Sequence, residues 1–140
     1  MLACWSVLTA HPWTGAVAAS DQEVAAHRVA MEMAGAFSNE SFKLRDGKFA
    51  GSISRESAVV IQVNLYAGNQ YWFSVGATEQ AKKMAVSVYD EAGHPAEVDA
   101  LQEASRAAAG FSPTASGPYF ILIEEIEGEP ASFCFLYSYK

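Results

Sequence analysis

Five stretches of this chain alternate between two kinds of side chain with a period of two, and turn-forming residues separate them. Val59, Ile61, Val63 and Leu65 alternate with Val60, Gln62 and Asn64. Tyr71, Phe73 and Val75 resume the pattern after Tyr66-Ala67-Gly68-Asn69. Met84, Val86 and Val88 lead into Asp90-Glu91-Ala92-Gly93. Tyr119, Ile121 and Ile123 follow the turn-rich stretch Pro113 to Pro118, and Phe133, Phe135, Tyr137 and Tyr139 follow Gly128-Glu129-Pro130. Successive strand side chains point to opposite faces, so each stretch has one face to bury. Several short strands of this kind bury those faces against one another as a sandwich or barrel. The expected inward set is Val59, Ile61, Val63, Leu65, Phe73, Val86, Val88, Tyr119, Ile121 and Phe135, with Gln62, Asn64 and Ser87 outward.

The N-terminal part reads differently. Residues 1–19 contain no Lys, Arg, Asp or Glu, and Leu2 to Ala10 is a short apolar run broken by His11, Pro12 and Gly15. Ala16-Val17-Ala18-Ala19 supplies the small residues that signal peptidase accepts. The expectation is a secretory signal over 1–19, cleaved after Ala18 or Ala19 and lacking a basic first region. The alternatives are an N-terminal extension of a cytosolic protein or, with an upstream start, a lipoprotein signal at Cys4. Cleavage would leave Cys134 as the only cysteine. Ser20 to Asn39 is the helix candidate. Ser20 or Asp21 caps it, Glu23 stands three residues after Ser20, and Val24, Ala25, Val29, Met33 and Phe37 are expected to share its apolar face. The chain divides into 1–19 signal, 20–40 helix and 41–140 sandwich. Glu97 to Ala109, Ala-rich and polar, fits either a helix or a strand.

Charge and motifs narrow the function more by exclusion than by indication. The chain has 9 Lys and Arg against 16 Asp and Glu, a formal net charge of -7. Nucleic-acid grooves and faces for anionic membranes need clustered positive charge, so neither partner is expected. No window reaches the roughly 20 apolar residues of a bilayer span. His11, His27 and His94 lie far apart in sequence, and no Gly-x-Ser-x-Gly elbow is present. Ser112 and Ser116 flank Pro113 as turn residues, and Cys134 reads as a buried small hydrophobe. Glu23 and His27 stand four apart on the helix without a third ligand at motif spacing. Asp90, Glu91, Glu97, Asp99 and Glu103, then Glu124 to Glu129, form no Asp-x-Asp-x-Asp-Gly loop and read as a solvated rim. No catalytic residue, metal site or cofactor is expected. The candidate partner-binding residues are Trp72 and Tyr89, which alternate outward from the core residues beside them. Three surfaces can meet Trp72: the N-terminal helix, a second copy of the chain, or a protein or glycan partner.

The order of these segments resembles a known family. Leu65-Tyr66-Ala67-Gly68-Asn69-Gln70-Tyr71-Trp72-Phe73-Ser74-Val75 is similar to the L-x-A-G-Q-x-Y-x-F-x-V segment of bacterial pre-peptidase C-terminal (PPC) domains. Met84 to Gly93 resembles that family's strand ending in Asp before a Gly turn. Phe111 to Ile123 resembles its F-x-P-x-x-S-G-x-Y-x-I-x-V signature, and Phe133 to Tyr139 takes the place of its last strand. The resemblance covers Ser52 to Lys140. It implies an all-β, jelly-roll-like antiparallel β-sandwich, here with one N-terminal α-helix, periplasmic or secreted. It also implies a role in export, folding or substrate binding without catalysis, and some relatives bind calcium. The expected function is a non-catalytic binding or accessory domain of the bacterial envelope or secreted fraction, contacting a protein or carbohydrate partner. The domain is expected to form a stand-alone small exported protein. The alternative is a small, self-associating structural β-sandwich of the periplasm, a homo-oligomer.

Overall fold

Period-two segments can bury one face only by pairing sheets, and the chain does so. The computed structural model describes residues 20–36, 41–45 and 49–140. The order is α1 (Asp21–Gly35), β1 (Lys43–Leu44), β2 (Phe49–Ile53), β3 (Val59–Leu65), β4 (Tyr71–Ala77), β5 (Ala81–Tyr89), β6 (Asp99–Glu103), β7 (Arg106–Phe111), β8 (Gly117–Gly128) and β9 (Ala131–Tyr139). A six-stranded sheet runs β1–β9–β4–β7–β6, with β2 also paired to β9, and a three-stranded sheet runs β3–β8–β5. Every strand pairing is antiparallel. The fold is an all-β sandwich with one helix.

The core lies between the sheets. From the larger sheet come Tyr71, Phe73, Val75, Phe133 and Phe135; from the smaller come Ile61, Val63, Leu65, Met84, Val86, Val88, Ile121 and Ile123. All the expected inward residues are buried except Val59, which is half-buried and packs against the cluster's rim. Gln62 and Asn64 are exposed and Ser87 is half-buried. Aromatic rings thread the larger sheet's inner face. Phe73 and Phe135 stack at 6.1 Å, and Tyr137 tilts against both at about 6 Å.

The sequence leads one to expect a closing hairpin at Gly128-Glu129-Pro130, and that expectation needs correction; for Glu97 to Ala109, open between helix and strand, the structure decides. Gly128-Glu129-Pro130 does not turn a hairpin: β8 and β9 belong to different sheets, so the segment carries the chain across the sandwich. Turn residues record a reversal but not which sheet receives the next strand. Glu97 to Ala109 contains no helix. It forms β6 and the start of β7, which pair with each other from Asp99↔Gly110 to Glu103↔Arg106.

The helix buries only part of the expected face: Met33 is buried, and Ala25 and Val29 are half-buried. Ala26, Ala30, Met33 and Ala34 are buried, whereas Val24 is 56% exposed; Phe37 lies outside the described residues. The reason is steric. α1 lies on the outer face of β4, β7 and β9, directly over Gly76. Only a stripe of Ala at i, i+4 and i+8 lets the helix backbone come that close. Ala26, Ala30 and Ala34 pack there with Cys134 and Leu136, so Cys134 is buried as expected. The N-terminus of α1 is capped as its sequence implies, with Ser20 Oγ accepting from Glu23 N at 3.2 Å.

The turns also behave as their residues imply. Gly68 and Gly93 have φ of +91° and +84°, a region most side chains avoid. The Asp90 carboxylate accepts from Ala92 N and His94 N, both at 2.9 Å, closing an Asx turn. Those backbone donors, the His94 N–H first, hold its pKa below the usual carboxylate value. Tyr119 donates its hydroxyl proton to Ala115 O at 2.7 Å, and Ser116 Oγ accepts from Ala67 N at 2.8 Å. Ser116 is thus a turn residue that pins two crossovers together.

Candidate functional site: the Trp72 notch

Trp72 sits on β4 between the inward rings of Tyr71 and Phe73, so strand geometry sends its indole to the outer face of the larger sheet. The register places Ser138, Trp72, Gly110 and Asp99 on one rung across β9, β4, β7 and β6. Gly110 is what allows the indole to lie down. A Cβ at that position would come within 2.9 Å of two indole carbons, so the ring rests on bare backbone and extends along the rung toward Asp99. Met33 of α1, Ala108 and Phe42 pack with the indole. The helix therefore covers part of Trp72 and leaves it half-buried.

The uncovered part faces a notch of about 440 Å³ lined by Phe42, Gln70, Tyr71, Trp72, Glu97, Val98, Asp99, Gly110, Phe111 and Ser112. Glu97, Asp99, Gln70 and Ser112 are all exposed. The Lys140 ammonium lies 4.7 Å from the centre of the Phe42 ring. An aromatic floor is thus ringed by two carboxylates, an amide and a hydroxyl. Sequence reading marked Trp72 as a site residue and Glu97 and Asp99 only as part of an acidic rim; the Trp72↔Gly110↔Asp99 register brings Asp99 to the indole, and Gln70 lies two residues before Trp72.

Tyr89 does not join this site. It lies on the outer face of the three-stranded sheet, level with Phe120 and Gln62. With Val60, Leu122 and Phe120 it lines a separate shallow hollow of about 290 Å³. The two candidate residues therefore stand on opposite outer faces of the sandwich. Among the described residues, no group of three or more His, Cys, Asp or Glu is arranged to hold a metal ion. None of the described helices is long and apolar enough to cross a membrane.

Among the described residues, one carboxyl group is buried. Glu125 on β8 is 4% exposed, and neither carboxylate oxygen has a hydrogen-bond partner among the described residues. Burial raises its pKa above the ordinary glutamate value; Arg55 opposes the rise, while Glu129 and Glu56 add to it. Between the unfolded and folded pKa values the native state holds a proton that the unfolded state has lost, so stability falls as pH rises through that window. Glu125→Gln removes the titrating group, so its stability relative to the wild type is expected to rise as pH rises through that window. The gain should shrink as pH falls toward the ordinary carboxylate range. Thermal unfolding followed across that range checks this, and a gain independent of pH would refute it.

No protein-family model matches the chain, and no curated protein matches it.

Proposed function

We propose that this chain is a non-catalytic carbohydrate-binding domain of the bacterial envelope or secreted fraction, with the Trp72 notch as its ligand site. One observation carries the reading: a half-buried indole lies on Gly110 with Glu97, Asp99, Gln70 and Ser112 around it. A sugar ring has an apolar C–H face and a rim of hydroxyls. The indole suits the face, and the carboxylates and amide suit the rim. The two carboxylates, on a chain of net charge -7, favour neutral or amino sugars over uronic acids. The resemblance to PPC domains and the charge-free residues 1–19 ending in Ala16-Val17-Ala18-Ala19 support the envelope or secreted setting.

Calorimetric titration with neutral cello-, chito- and xylo-oligosaccharides tests the proposal. Asp99 and Glu97 are exposed, so Asp99→Ala and Glu97→Ala should leave thermal stability within about 0.5 kcal/mol. Each substitution removes a charged hydrogen-bond partner worth about 1.5–3 kcal/mol, so affinity should fall roughly 10- to 100-fold. Sugar affinity unchanged by both substitutions would remove the notch as the site.

A further inference from the structure

The three-stranded sheet offers a second recognition surface, independent of the notch. β3 stands at the edge of the order β3–β8–β5, and no described strand pairs with its other side. An edge strand of this kind presents rows of N–H and C=O groups that can template another strand, and proteins blunt such edges with charge, Pro or short length. Three of the other edges follow that rule. β6 carries Asp99 and Glu103, β5 carries Lys82 and Lys83, and β1 carries Lys43. β2 is uncharged, but it is five residues long and interrupted by Gly51. β3 has no charge, Pro or Gly in its seven residues, Val59–Leu65. Its outward side chains Val60, Gln62 and Asn64 are exposed, Val60 by 60%. On a chain of net charge -7, this neutral strip is where a second copy meets the least repulsion.

We propose that β3 pairs antiparallel with β3 of a second copy about a two-fold axis at Gln62, joining two three-stranded sheets into one. The strand is self-complementary about its middle residue. Gln62 faces its own mate, Val60 faces Asn64, and Ile61 faces Val63, so inward side chains meet inward ones and both cores stay on the same side. A glutamine amide both donates and accepts, so two of them on the axis satisfy each other. An isologous pairing of this kind closes at two copies.

Sedimentation of the full chain at micromolar to millimolar concentration tests this. The wild type should reach twice the chain mass. Gln62→Lys and Gln62→Glu each place like charges opposite one another on the axis, and each should sediment at the single-chain mass. Their thermal unfolding should be that of the wild-type fold, because position 62 is exposed. An equimolar mixture of the two variants should recover the two-chain mass, since Lys then faces Glu. A wild type that stays at the single-chain mass throughout overturns the proposal, even if a foreign extended peptide binds the edge. So does a Gln62→Lys variant that keeps the two-chain mass.

Discussion

Gly76→Ala is expected to loosen α1 from the sandwich and to cost about 3 kcal/mol, at the upper end of overpacking penalties. The added Cβ would lie 2.3 Å from Ala30 N, 2.7 Å from Val29 C and 2.9 Å from Ala26 O. All three are helix backbone atoms, so no side-chain rotation relieves the clash and the helix must move as a body. Moving it uncovers Cys134 and Leu136, which pack against the Ala stripe. It also withdraws Met33 from Trp72. Thermal unfolding and tryptophan emission report the two consequences separately. A variant as stable as the wild type, with unshifted emission, would show that the helix does not depend on this close approach.

Phe135→Ala is expected to cost about 3–5 kcal/mol, in the range for deleting a buried aromatic ring. Phe135 is fully buried on β9, stacks with Phe73, tilts against Tyr137 and meets Phe49 at 6.2 Å. Its loss opens a cavity among rings held by three different strands, which cannot all collapse into it. Denaturant unfolding measures the cost. A change below about 1 kcal/mol would mean that the ring cluster is not where the larger sheet is anchored.

The legible part of this fold is the part where one face is wet and the other dry. β3 and β8 show strict alternation and were readable residue by residue. β6 and β7 were not, for opposite reasons. All five residues of β6 are exposed, while β7 is buried on both faces along Ala107 to Gly110, so neither alternates. On α1 the sequence shows Met33 as buried but not the Ala26, Ala30 and Ala34 stripe, whose signal is smallness rather than hydrophobicity. The partner that selects small residues, Gly76, lies on a different element. For the site, parity along β4 sent Trp72 outward, and that much was visible. Its companions Gly110 and Asp99 reach it only through the β4–β7–β6 register, which no local pattern encodes.

The most direct test of the carbohydrate-binding reading is a titration of the labelled full chain with a neutral oligosaccharide, followed by amide and indole nuclear magnetic resonance. The account predicts concentration-dependent shifts at the Trp72 indole N–H and at the amides of Gly110, Asp99, Glu97 and Gln70, with Val60, Tyr89 and Leu122 unmoved on the opposite face. Shifts confined to the Tyr89 face, or none at saturating sugar from the cello, chito and xylo series, would contradict it.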